Sequence, residues 1–297
     1  MRRFAFFRGC FIPVRLPHIE QVSRRVLQEL GVDLLDVGGF SCCPEPVGFG
    51  LNDKLTWMAI AARNISLAED EGRDILTLCN GCLYTLKQAN AALKENEKLR
   101  EKINEALAAA DRQFRGTVEV KHFAQVLLED VGLDRVRGRV EAPLTGLTVA
   151  CHTGCHIVSP LEVMRFDDPY DPVVLDGMVS ALGATPADYD LKPLCCGWTL
   201  TNYGTRESAS KLLGAKLTAM HDAAADCITV ICPQCHYQFD MGQMLAARSM
   251  GLDFRLPTLF YTQLLALAMG YSLDEIHYRR HRVRDPAFEE KIRRVTA

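Results

Sequence analysis

Asp74-Ile-Leu-Thr-Leu-Cys-Asn-Gly-Cys82 decides the reading of this chain, because Ile228-Thr-Val-Ile-Cys-Pro-Gln-Cys235 repeats its plan. In both, a short, mostly apolar run of strand length stops directly at a C-x-x-C pair, and a helical composition follows. That places each pair on a strand-to-helix loop. The free N–H groups and positive dipole end of the helix stabilise thiolates there. Pro233 suits such a start, where its missing N–H costs nothing.

Upstream of each pair the pattern continues. Thirty-five residues separate Cys79 from the vicinal pair Cys42-Cys43, and thirty-five separate Cys232 from Cys195-Cys196. A single cysteine stands before each vicinal pair, Cys10 by thirty-one residues and Cys155 by thirty-nine. Ten of the twelve cysteines therefore form two copies of one five-cysteine constellation, which points to soft-metal ligands. A closed zinc site takes four ligands. Five donors, two of them adjacent and so diverging along an extended segment, suit a multinuclear iron–sulfur cluster better. A thiol-redox role for either C-x-x-C alone is displaced by the other three cysteines of its set. Cys151 and Cys227 fall outside the repeat and read as small buried hydrophobes. Cys151 competes with Cys155 as first member of the second set, but the Gly-Cys context it lacks favours Cys155.

The rest of the chain follows the duplication. In the first half, Phe4–Phe7 is an apolar run ending near Cys10. The period of Ile19, Val22, Val26, Leu27 and Leu30 predicts a helix closed by Gly31. A strand is expected over Asp33–Val37, a helix from Asp53 to Glu71, and charged helices from Tyr84 to Ala110. The second half offers a strand at Leu147–Ala150 and helices over Pro172–Leu182, Glu207–Ala224 and from Gln234. Leu259–Met269 reads as a buried helix. Alternating strands and helices predict an α/β fold of two pseudo-repeated Rossmann-like βαβ halves with parallel sheets. The cysteine clusters then lie at the carboxyl ends of strands, where such sheets carry their sites. The halves are expected at residues 1–140 and 141–297. His122 is expected to be a core histidine in a buried strand, and Trp57 and Phe49 to be core.

Composition narrows the function. A net charge of −3 argues against a nucleic-acid binder. No stretch reaches the roughly 20 apolar residues of a membrane helix, and Met1–Arg8 lacks the apolar core of a signal peptide. A cytoplasmic protein with reduced thiols is the expectation. There is no G-x-G-x-x-G motif and no C-x-x-C-x-x-C-x-x-x-C-P run of a conventional electron-carrying domain.

Over essentially its whole length the chain resembles the CCG-domain family, and within it the B subunit of heterodisulfide reductase. The resemblance is carried by Phe4-Ala-Phe-Phe-x-Gly-Cys10, Ser41-Cys-Cys-Pro44, Ile60-Ala-Ala-Arg-Asn64, Leu76-Thr-x-Cys-Asn-Gly-Cys82 and Cys232-Pro-x-Cys-His-x-Gln-Phe-Asp240. It implies two non-cubane [4Fe-4S] clusters. One would be held by Cys10, Cys42, Cys43, Cys79 and Cys82, the other by Cys155, Cys195, Cys196, Cys232 and Cys235. It further implies a small-molecule disulfide, such as the coenzyme M–coenzyme B heterodisulfide, cleaved between them. The implied partners are a ferredoxin-like [4Fe-4S] C subunit, a flavin-bearing A subunit and, beyond them, a hydrogenase or formate dehydrogenase. The alternative is a CCG-domain electron-transfer subunit of another oxidoreductase. His156 and His236, each following a cluster cysteine, and His152 nearby are candidate proton donors, or else hydrogen-bond partners of cluster sulfur. The loop after Cys196, Gly197-Trp-Thr-Leu-Thr-Asn-Tyr203, is bulkier than the family's glycine-rich norm and is expected to reshape the substrate cavity.

Overall fold

A computed structural model describes residues 2–296. The first half builds a parallel sheet from β1 (Arg2–Phe7), β2 (Val32–Leu35), β3 (Ile75–Thr77) and β4 (Val120–His122), in the order β2-β1-β3-β4. The second builds another from β5 (Thr148–His152), β6 (Thr185–Pro186), β7 (Cys227–Val230) and β8 (Thr258–Phe260), in the order β6-β5-β7-β8. Phe6 pairs with Leu76 in the first sheet, and Ala150 with Ile228 in the second. β3 and β7 are buried throughout, as parallel strands covered on both faces must be. This is why they read as apolar runs without alternation.

The covering helices also repeat. Lys54–Asp70 is capped by Asp53, whose side chain accepts from the Thr56 N–H. Arg206–Asp222 is capped in the same way by Thr205, which accepts from Ser208. Among the described residues no helix is long and apolar enough to cross a membrane.

The sheets share one hydrophobic core. Helix Tyr261–Ala268 of the second half packs on Pro17–Glu29 of the first, where Ser23 and Thr262 hydroxyls hydrogen-bond at 2.7 Å. The Phe123 ring meets Phe260 across the seam at 5.4 Å. His18 lies 5.7 Å from His281, which lies 5.0 Å from His236. Burial, with the charges of His277 and Arg280, lowers His18 to about 4. Burial, with His18, lowers His281 to about 3. In the unfolded chain both titrate near 6.5. Below that pH the unfolded chain binds protons that the fold refuses, so stability falls as pH falls. The loss approaches ~1.4 kcal/mol per pH unit for each ring. Melting temperature is therefore expected to drop between about pH 6.5 and 4, and less steeply in a His18→Leu variant; parallel profiles would exclude this origin.

Three expectations need correction, and one strand was not foreseen. The strand expected at Asp33–Val37 runs over Val32–Leu35, starting one residue and ending two residues earlier. The apolar run read as one helix begins as strand β8, and the helix starts only at Tyr261. β6, two residues long, had no sequence signal. Phe49 is not core but 41% exposed, whereas Trp57 is buried.

Candidate metal centres

In each sheet the chain order reverses between two central strands, β1 and β3 or β5 and β7. Such a switch point opens a crevice at the strands' carboxyl ends. Cys10 follows β1 and Cys79 follows β3, with Cys82 in the first turn of helix Asn80–Glu95. Cys155 follows β5 and Cys232 follows β7, with Cys235 in helix Pro233–Tyr237. The vicinal pairs arrive on irregular loops that need separate anchoring. All twelve cysteines are free thiols.

In the first set the Cys10 and Cys42 sulfurs lie 3.6 Å apart, and those of Cys43 and Cys82 3.1 Å apart. Asn64, fully buried, fixes the loop: its Oδ1 accepts from the Ser41 N–H at 2.9 Å, and its Nδ2 donates to the Cys42 carbonyl at 3.2 Å. The Thr85 hydroxyl donates to the Pro44 carbonyl at 3.0 Å. Gly9 sits at φ +67°, where a Cβ would lie 2.8 Å from the Cys82 sulfur. Hydrogen bonds from Cys42 and Cys82 lower Cys43 to about 5, while the bond to Cys42 raises Cys10. Thiols that share protons in this way are crowded around one space.

The second set behaves alike. Hydrogen bonds from Cys155 and Cys196 lower Cys195 to about 2, helped by the Gly197 N–H at 3.4 Å from its sulfur. The same bonds raise Cys155 and Cys196, and Cys235 is raised by Cys196 and Cys232. Cys155 is thus brought beside Cys195. Cys151 is buried and faces Asp176 instead, and Cys227 is buried in β7. His152 joins from β5: a ring nitrogen and the sulfurs of Cys196 and Cys235 lie within 4.8 Å of one another. Both its ring nitrogens are buried without a hydrogen-bond partner. Five convergent soft donors and an orphaned imidazole fit an iron–sulfur group with an acceptor sulfur.

The two sets abut. Cys79 is raised first by its interaction with Cys232, and a Cβ on Gly154, beside Cys155, would stand 2.7 Å from Asn80 Nδ2 and 3.5 Å from the Cys235 sulfur, so the C-x-x-C loops adjoin across the halves. Asn80, between the first pair, donates from Nδ2 to the Thr153 carbonyl at 2.8 Å, beside the loop of Cys155. In return Gln234 reaches Gly81, where a Cβ would stand 3.4 Å from its Oε1. Pro233 and Gln234 line a small pocket of about 50 Å³ with Cys10, Cys42, Cys43 and Cys82. Phe11, Trp198 and Tyr237 stand beside it as an aromatic trio, with ring centroids 5.4 to 5.7 Å apart. The bulky loop after Cys196 thus contributes Trp198 there, and its Tyr203 hydroxyl donates to Glu45 of the first half at 2.9 Å.

The candidate proton donors separate. His156 is half-buried with its ring edge on Tyr84 at 5.0 Å. His236 is fully buried against His281, and burial holds it well below its ordinary value. His122 is buried at the end of β4 with Nδ1 accepting from the Ala124 N–H. Asn64 and Asn80 enter the sequence reading only as members of the quoted motifs, and Gln234 only as the x of Cys232-Pro-x-Cys235; nothing there marks what each of them holds.

The cysteine-rich CCG domain model matches residues 4–87 and 149–240. The chain is 39% identical, over 100% of its length and 99% of the relative's, to the B subunit of the ferredoxin/F(420)H(2)-dependent CoB-CoM heterodisulfide reductase of Methanosarcina acetivorans. It is 30% identical, over 93% of its length and 95% of the relative's, to the 8-methylmenaquinol:fumarate reductase membrane anchor subunit of Wolinella succinogenes. A hypothetical protein from Helicobacter pylori shares the fold with a TM-score of 0.73 at 15% identity, covering 96% of this chain and 53% of its own. Relatives that are reductase subunits make this chain an iron–sulfur oxidoreductase subunit of a larger complex. Duplicated motif, duplicated sheet and full-length relatives agree: the chain belongs to the cysteine-rich CCG-domain family, among the homologues of the heterodisulfide reductase B subunit.

Proposed function

We propose that this chain is the catalytic subunit of a heterodisulfide reductase, cleaving a disulfide to two thiols between two non-cubane [4Fe-4S] clusters. The abutment of the two C-x-x-C loops carries the reading, because one substrate can then face both sets. Cys10, Cys42, Cys43, Cys79 and Cys82 would hold one cluster. Cys155, Cys195, Cys196, Cys232 and Cys235 would hold the other. The clusters supply electrons one at a time, whereas the reaction takes two electrons and two protons per disulfide.

The chain's own residues set the geometry. Asn80 ties the first C-x-x-C linker to the opposite half, and Gln234 packs against Gly81 from the other side. Phe11, Trp198 and Tyr237 shield the crevice from water. His156, half-buried and so in reach of solvent, would relay protons. His152 is placed to hydrogen-bond the second cluster. Electrons would come from a ferredoxin-like C subunit and a flavin-bearing A subunit, fed by a hydrogenase or formate dehydrogenase. The expected domains are residues 1–140 and 141–297, one cluster each.

Anaerobically purified chain is expected to contain roughly eight iron and eight sulfide. It should reduce the coenzyme M–coenzyme B heterodisulfide with reduced viologen. Zinc in place of iron would defeat the metal assignment. Likeness to the fumarate reductase anchor subunit favours a second reading, electron transfer without substrate chemistry. Full iron loading with no turnover of any small disulfide would select it.

A further inference from the structure

The two vicinal cysteine loops are anchored by the same position of equivalent helices, but not by the same chemistry. Asn64 is the eleventh residue of Lys54–Asp70, and Lys216 the eleventh of Arg206–Asp222, both helices having 17 residues. Asn64 grips its loop as a neutral amide at Ser41 and Cys42. Lys216 is fully buried, and its Nζ donates to the carbonyls of Leu191, Lys192 and Leu194 at 2.7, 2.9 and 2.5 Å.

Three acceptors match the three donors of an ammonium, which has no acceptor of its own. The partners are carbonyls rather than carboxylates, so the hydrogen bonds are satisfied while the net charge is not cancelled. The Tyr189 ring face at 5.7 Å adds a weak further attraction. Burial lowers Lys216 to about 8, and the three carbonyl acceptors hold the ammonium form at neutral pH. Its field reaches His152, which shares a corner of the site with Cys196 and Cys235. A buried charge in a low-dielectric interior acts over such distances with little screening.

We propose that Lys216 is a positioning residue of the second centre: it pins the Cys195-Cys196 loop and gives that centre a fixed positive charge that Asn64 does not give the first. The inference rests on the reading that each set holds an iron–sulfur cluster. One added electron makes a cluster one unit more negative, and Lys216 keeps its proton throughout, so the charge favours the reduced form of the second centre alone. The two sulfurs of a bound disulfide then face electronically unequal sites.

The test is a redox titration of the full chain followed by electron paramagnetic resonance, with iron and sulfide measured first. A Cys82→Ala background leaves only the second centre to be read, and Cys235→Ala only the first. Lys216→Gln is expected to weaken reduction of the second centre at least tenfold, a fall of 59 mV for a one-electron couple, and to leave the first unchanged. An unchanged second midpoint in a loaded Lys216→Gln chain overturns the proposal. Where Lys216→Gln cannot hold the second cluster, Lys216→Arg decides. Retained iron with a midpoint within tenfold of the parent supports a role for the charge, and lost iron or a midpoint lower by more than tenfold overturns it. Absence of iron from the parent chain would instead sink the cluster reading, and is seen before any variant is compared.

Discussion

Replacing Cys82 with alanine is expected to halve the iron of the chain, from roughly eight atoms to roughly four, and to abolish disulfide reduction. Cys82 sits 3.1 Å from Cys43 and is buried, so it occupies the floor of the first set rather than its rim. Its loss removes one donor and leaves Cys43 without a hydrogen bond that helps hold it low. Cys235→Ala should do the same to the second set, where Cys196 loses the corresponding neighbour. Iron analysis and a viologen-linked assay check both. Half the iron with zero activity in each variant supports a mechanism that needs two centres. Full activity in either would show that one centre suffices and that the duplication serves electron storage or transfer.

A change that touches no sulfur should have nearly the same effect. In Gly9→Ala the new Cβ would lie 2.8 Å from the Cys82 sulfur, in a backbone at φ +67° that L side chains rarely adopt. Strain of about 1–3 kcal/mol is the expected conformational cost, and the clash is added to it. The first centre should lose its iron while the second keeps it. Gly72→Ala is the control: φ is +59° but nothing lies within 4 Å of the added atom. It should lower the melting temperature and leave iron content unchanged. Equal iron loss in both would assign the effect to backbone strain alone.

The strands that end in cysteine were legible because burial on both faces removes alternation and leaves an apolar run stopped by a ligand loop. Short neighbours were not. β6 is two residues long, and β8 merges with the apolar helix that follows, so no period marks where one ends. The assignment of Cys155 rather than Cys151 rested on a Gly-Cys context; in the fold Gly154 takes φ +84° and turns the chain so that Cys155 meets Cys195. Lys216 was invisible because a lysine in a charged helix reads as solvated, and only the loop folding over it reveals three carbonyl partners. Phe49 misled in the opposite sense, since an aromatic beside glycines carries no period to say which way it points.

The reciprocal reach of Asn80 toward Thr153 and of Gln234 toward Gly81 has the logic of an isologous contact, in which the same patch meets itself across a two-fold axis. A chain carrying one copy could complete such an enclosure only by pairing with a second molecule of itself, and both sides would then be bound to stay identical. Joining the copies keeps the mutual closure and lifts that constraint. Each side can drift on its own, as the amide and the ammonium at one shared helical position already have.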